Sequence, residues 1–299
     1  MNCYLVSGPI QDETLFGYNM HVNINIYLEE LMDHFLSSNC AHWNEVVSCH
    51  AVSLSYDVKG FKNGRNTLRT IEREEVGDVA GKSLLHLQCH FGMDSMSWAR
   101  LGARVTGMDF SQEAINLAKS LARELDIDSR FVCSNIYDLP NTLEDQFDIV
   151  FTSYGVLTWL PDMTGWAKIV AHYLKPGGEF HIVEIHPYSS MFDYDSNSSQ
   201  LQWEYLYFID DEPLEFEGTD TYAAANAAEY NTVTYEWSHS LGEIVTSLID
   251  AGLKIEYLHE FPFSCYRAFP CMTRSEDGWW RLPPKYLDMP LLFSIKAEK

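Results

Sequence analysis

Between residues 83 and 95 the chain reads SLLHLQCHFGMDS. His86, Cys89 and His90 crowd into one short segment, and imidazoles and thiols are what zinc and iron sites use. The same segment is also an apolar run closed by Gly92. That is how a strand turns tightly into a helix whose free N–H groups face a nucleotide. A metal site needs three or four converging ligands. On an extended strand His86 and Cys89 point to opposite faces, and no second Cys/His cluster stands nearby in sequence. The segment therefore reads as a nucleotide turn with no metal. His86 and Cys89 read as buried structural residues, and His90, at the strand tip, as the one placed to touch a ligand.

Two more residues carry the same chemistry. Asp109 ends the next apolar run, where a carboxylate can accept hydrogen bonds from two ribose hydroxyls. Asn135 ends the third, where its amide can read an adenine edge. Each has a plainer reading alone, Asp109 as a helix-capping acid and Asn135 as a turn residue. In order, at the ends of three successive strands, they support one another.

The elements that must position these residues begin near residue 80. KSLLHLQ, ARVTGMDF, SRFVCSN, FDIVFTSY and EFHIVEI read as five strands. Between them MDSMSWARLG, closed by Gly102, QEAINLAKSLARELD, capped by Ser111, and TGWAKIVAHYL read as helices. Alternation at this spacing predicts parallel βαβ units. Residues 187–229 break the rhythm and are rich in aromatics and acids. QWEYLYF and NTVTYEW are expected to pair as an added antiparallel unit. A helix LGEIVTSLIDAG, capped by Ser240, and two strands, LKIEYLHEF and PLLFSIKAEK, complete the chain. Residues 1–41 stand apart: Ile24, Tyr27, Leu28, Leu31 and Phe35 recur at helical spacing. That helix is expected to dock on the main domain or on the partner subunit of a homodimer, with a substrate lid as the alternative reading.

Composition sets outer bounds. The 299 residues, 46% of them apolar, suffice for a sizeable core. A net charge of −23 repels phosphate backbones and argues against nucleic acid as a partner. Apolar runs are strand-length, which argues against a membrane span. No basic segment leading into an apolar one opens the chain, and the seven cysteines form no CxxC pair. The expectation is a cytoplasmic protein with reduced thiols.

LLHLQCHFG, VTGMDFS, CSNIYDLP, FDIVFTSYGVLTWL and LKPGGEFHIVE, in this order, resemble the motifs of class I S-adenosylmethionine (SAM) dependent methyltransferases. The HLQCHFG version, with YEWSHS and DGWWRLP, looks like a bacterial-type subgroup acting on small molecules. The resemblance implies an α/β fold: a Rossmann-like seven-stranded sheet with helices on both faces and an antiparallel cap inserted between strands 5 and 6. It implies a methyltransferase domain over 42–299, with an insertion at about 187–239, behind a helical extension at 1–41. It also implies SAM as cofactor, held by Gln88, His90, Gly92, Asp109, Phe110, Asn135, Ile136, Ser153 and Arg65. The family's usual first-motif acid corresponds here to His86, and two of its glycines to Gln88 and His90.

The function expected is methyl transfer from SAM to a small-molecule acceptor. His186 and Tyr154 are the catalytic candidates, His186 as proton acceptor. Trp159, Tyr188, Trp237 and His239 are expected to line the substrate pocket. Tyr56 and Phe61 read as core aromatics or as a cover over the cofactor. The acids of the insertion, Asp193, Asp195, Asp210, Asp211, Glu212, Glu215 and Glu217, read as solvated surface. The alternative is a non-catalytic protein of the same fold that binds SAM or a partner chain as a regulator.

Overall fold

The computed structural model describes residues 13–193, 200–208, 212–218, 223, 232–286 and 288–299, with side chains of the first helix described from Leu31 onward. Helices α1 (Glu13–Val52), α2 (Val58–Lys62) and α3 (Thr70–Val76) precede a run of alternating elements. These are β1 (Ser83–His86), α4 (Met93–Arg100), β2 (Arg104–Asp109), α5 (Gln112–Glu124), β3 (Ser129–Cys133), β4 (Phe147–Ser153), α6 (Met163–Tyr173) and β5 (Leu174–Ile185). Then come β6 (Leu214–Gly218), β7 (Thr232–Glu236), α7 (Leu241–Asp250), β8 (Lys254–Phe261), β9 (Thr273–Arg274), β10 (Trp280–Arg281) and β11 (Leu292–Glu298).

Seven strands form one sheet in the order β3-β2-β1-β4-β5-β11-β8. Neighbours are parallel from β3 to β5, and β11 runs antiparallel to both β5 and β8. Strand side chains alternate between two layers. Leu85, Val150, Phe180 and Ile182 pack with Trp166 and Leu248 of α6 and α7. Leu84, Ile149 and Phe151 pack on the other face with Val76 of α3 and Trp98 of α4. This is the expected doubly covered sheet, with β4 at its centre and the strand order reversing between β1 and β4.

Three expectations are corrected. First, β1 ends at His86. Gln88 and His90 have φ of 53° and 50°, so strand alternation does not extend past His86 to Cys89. Second, QWEYLYF is not a strand: its ladder contact is an isolated bridge from Trp203 to Phe192, and Trp203, Leu206 and Phe208 are exposed. The partner of β7 is β6, where apolar Leu214 and Phe216 alternate with Glu215 and Glu217. Third, α1 does not stop near residue 41. It continues to Val52 because Asn39, Val46, Val47 and His50 keep a buried stripe at helical spacing. Asn39 donates to the Tyr235 carbonyl at 2.7 Å and accepts from the Tyr235 N–H at 2.8 Å, which holds β7 against the helix. Asp195, Asp210 and Asp211 lie outside the described residues, as do the side chains of Ile24, Tyr27 and Leu28.

Candidate functional site

The carboxyl ends of β1, β2 and β4 converge where the strand order reverses. Three of the non-glycine residues with positive φ stand there: Gln88, His90 and Tyr154. Left-handed backbone costs roughly 1–2 kcal/mol for such residues and persists where surrounding bonds over-determine it. Those bonds are visible. Cys89 N–H donates to the Met108 carbonyl at 2.8 Å. His90 N–H donates to Asp109 Oδ2 at 2.8 Å. Gln88 Nε2 donates to the Val156 carbonyl at 2.9 Å. Two residues in place of glycines thus keep the turn that glycines would adopt. Gly92 cannot be replaced in the same way, because a Cβ there would meet the Phe131 ring at 2.4 Å.

Asp109 is buried, and its second oxygen accepts from Ser111 N–H at 2.9 Å. Burial raises its pKa to about 6 against the pull of these backbone donors. Each oxygen retains a further lone pair for a hydroxyl. Ser134 N–H donates to the Asp109 carbonyl at 3.0 Å, joining the end of β3 to the site. Asn135 Oδ1 caps the next turn by accepting from Tyr137 N–H at 3.1 Å, the plainer of its two readings, and Ile136 is buried in the core. Ser153 is half-buried at the end of β4.

Helix α1 roofs this region. Asn44 Oδ1 accepts from Ser111 Oγ at 2.9 Å and from Glu113 N–H at 3.1 Å. Cys40 and Cys133 both approach the Phe110 carbonyl at 3.5 Å. The Trp43 ring lies 5.2 Å from His90 and 5.3 Å from Trp159. His50 Nδ1 and His90 Nε2 are 3.0 Å apart. Burial lowers the His50 pKa to about 4 and that of His90 well below the usual range, so the pair shares a hydrogen bond as neutral imidazoles at neutral pH. Tyr56 stacks on His50, while Phe61 is fully buried under the Arg100 guanidinium.

Other candidates fall elsewhere. His186 Nδ1 accepts from Tyr188 N–H at 3.0 Å, and Nε2 donates to Glu260 at 2.8 Å. Both ring nitrogens are committed, which leaves no free lone pair for a substrate proton. His186 thus ties the turn after β5 to Glu260 of β8. Tyr188 packs with Phe192 and Trp203 beyond β5. Trp237 is on the α1 side, 6.1 Å from Phe35, and its backbone N–H donates to the Thr158 carbonyl at 2.8 Å. His239 donates to the Leu160 carbonyl at 2.7 Å. Arg65 is tied to the Tyr56 carbonyl and to Asp57, with a half-exposed side chain, although its charge is felt at Asp94. His86 is buried with Nδ1 2.8 Å from Ser95 Oγ. Among the described residues no group of three His, Cys, Asp or Glu side chains is placed to hold a metal ion. Two open clefts, one beside Ala99 and Asp128 and one beside Ser83 and Arg130, lie at the other end of the strands.

Sequence reasoning missed two acids next to Tyr154. Glu184, on β5, is buried and accepts from the N–H groups of Gly155, Val156, Leu157 and Ile185. It fixes the turn that presents Tyr154. Glu72, on α3, is 1% exposed, and neither of its oxygens has a partner at normal hydrogen-bond geometry. A readable signal for Glu72 exists: it falls next to buried Ile71 and four residues before buried Val76, on the inner face of α3.

Residues 84–178 match a family model described as a methyltransferase domain. A ubiquinone biosynthesis O-methyltransferase of Salmonella typhi is 35% identical over 141 residues, which are 46% of this chain and 58% of that protein. The chain spans little more than half the length of the curated relatives it matches. Among solved structures, an S-adenosylmethionine dependent methyltransferase from Mesorhizobium loti aligns with a TM-score of 0.53 at 20% identity, over 80% of this chain and all of that one. DhpI, solved in complex with SAH, aligns with a TM-score of 0.53 at 16% identity, over 88% of this chain and 96% of its own. The fold is therefore the Rossmann-like, seven-stranded fold of class I methyltransferases.

The residues present fit SAM. Asp109 keeps lone pairs for ribose hydroxyls, and Gln88 Oε1 and His90 Nδ1 are buried polar atoms with no partner.

Proposed function

We propose that this chain transfers a methyl group from SAM to a small-molecule acceptor. One observation carries the reading: the left-handed Gln88–His90 turn is bonded to a buried Asp109 at the switch point between β1 and β4, under the aromatic roof of α1. The methyltransferase match over 84–178, the DhpI–SAH structure and the small-molecule O-methyltransferases among the relatives support it. The resemblance of HLQCHFG to the first motif of a small-molecule subgroup supports the same reading.

In this reading Asp109 holds the ribose, and Gln88, His90, Gly92 and Phe110 border the nucleoside. Asn135, Ile136 and Ser153 flank it. SAM supplies a methyl group on a sulfonium, so displacement needs alignment and exclusion of water more than a catalytic triad. Trp43, Trp159 and His90 exclude water on the α1 side. Tyr154 faces the reacting end. Burial raises its pKa well above the usual phenol range, so it serves as a hydrogen-bond donor and not as a base. Trp159 and Trp237 wall the acceptor pocket, with the cap hairpin behind them. The reading places the protein in the reducing cytoplasm. No helix among the described residues is long and apolar enough to cross a membrane.

Calorimetry with SAH tests the cofactor site. Removing a charge-assisted hydrogen bond costs about 1.5–3 kcal/mol, so Asp109→Ala should weaken SAH by roughly 10- to 100-fold. Unchanged affinity in a folded variant would put the ribose elsewhere.

A further inference from the structure

Glu72 is a buried carboxyl whose oxygens close no hydrogen bond of normal geometry, although backbone groups at Arg69 and at Glu72 itself pull against the effect of burial. The groups around it come from four elements: Asp94 of α4, Tyr154 after β4, Arg69 at the start of α3 and Cys265 after β8, with Glu184 beyond. The Tyr154 hydroxyl stands close enough to be felt, yet it too closes no bond of normal geometry. Among the described residues two guanidiniums act on this corner, and both are committed elsewhere: Arg65, felt at Asp94, is tied to the Tyr56 carbonyl and Asp57, and Arg69 has partners of its own. It donates to the Cys265 carbonyl at 2.7 Å and lies over the Trp279 ring at 5.1 Å. Burial, with Asp94 adding to it, pushes the Glu72 pKa up to about 7, and burial also raises that of Asp94. Beside the same 154–157 turn, Gln88 Oε1 is a further acceptor without a donor.

A buried carboxylate left unmatched is costly. What this corner lacks is a compact cation with several N–H groups, which describes an ammonium. The corner lies between the start of α4 and the end of β4, next to the proposed cofactor site. The acid of the family's first motif is absent, with His86 in its place and bonded to Ser95. Resting on the SAM reading, we propose that Glu72, seconded by Asp94, receives the α-ammonium group at the methionine end of the cofactor. The binding charge has moved from the first strand to α3.

Two ligands separate this inference from the reading beneath it. SAH carries the amino-acid tail, whereas 5′-methylthioadenosine has the same nucleoside and sulfur without it. In calorimetry, Glu72→Gln should weaken SAH by about 10- to 100-fold, the loss expected for a charged hydrogen bond, and leave methylthioadenosine within about twofold. Wild-type protein supplies a second measurement that requires no variant. Near pH 6, SAH should release close to one proton more than methylthioadenosine, read from binding heats in buffers of different ionisation enthalpy. Subtracting the two ligands removes any proton lost from Asp109. Equal SAH affinity in Glu72→Gln, or equal proton release by the two ligands, overturns the assignment. If wild-type protein binds neither ligand, the SAM reading itself falls. If the variant fails to fold, the proton count decides alone.

Discussion

Glu184 and Glu72 both stand beside the turn that carries Tyr154 and are treated in opposite ways. Glu184 comes from the sheet and accepts from four backbone N–H groups. Glu72 comes from a short helix over the sheet and has no partner of normal geometry. Both are buried, and burial raises both pKa values. The saturated acid has no capacity left for a ligand, so its work is to hold the 154–157 turn. The unsaturated acid contributes little to holding the fold and is placed to receive something from outside. Burial alone does not mark a functional carboxyl; the count of donors already present does.

The largest effect should follow from Glu184→Gln. The amide presents one acceptor oxygen where the carboxylate has two, and buried N–H groups lose their partner at roughly 1–3 kcal/mol each. The melting temperature should fall by about 5–10 °C, measured by circular dichroism. An unchanged melt would remove the distinction between the two glutamates.

Glu72→Gln should act on the apoprotein in the other direction. The folded-state pKa near 7 lies above the ordinary 4.5, so between those values the folded chain binds a proton that the unfolded chain does not. Stability from this group therefore falls as pH rises from about 4.5 through about 7. At pH 8 the ionised, unmatched carboxylate costs about 3 kcal/mol, and the neutral variant should be more stable than wild type by that order. At pH 4.5 the two should be alike. Denaturant unfolding at several pH values checks the sign. Comparing variant with wild type cancels the opposing contribution of His50 and His90. Their depressed pKa values cost stability as pH falls below about 6.5 toward 4.

The smallest effect belongs to His186, which is saturated like Glu184 but holds a peripheral turn. His186→Gln should lower the melting temperature by only about 2–4 °C and leave methyl-transfer turnover within a few-fold. A loss of turnover by about 100-fold or more in a folded variant would restore His186 as a proton acceptor.

Much of this frame was legible in the sequence because period-2 and period-3.6 patterns report burial directly. The seven sheet strands, the caps at Ser111 and Ser240, and the place of Asp109 follow from such patterns. QWEYLYF misled because it is apolar on both faces, which fits no half-buried strand, whereas the acidic LEFEG alternates cleanly. The left-handed turn at Gln88 and His90 was not readable, since φ is normally inferred from glycine and here glycine is absent. The α1 roof required Trp43 and Asn44 to be followed across the fold to His90, Ser111 and Trp159, contacts too distant in sequence for periodicity to reveal. Glu72 was hidden among Arg73, Glu74 and Glu75, where only its helical spacing from Val76 sets it apart.

The most direct test of the account is transfer itself. Purified protein is incubated with SAM labelled in its methyl group and a fractionated pool of cellular metabolites, and label is followed by mass. The account predicts a low-mass product heavier by one methyl group, with matching release of SAH, both lost in Asp109→Ala. Tight SAH binding with no label in any low-mass fraction would contradict it and leave a binding protein on a methyltransferase fold.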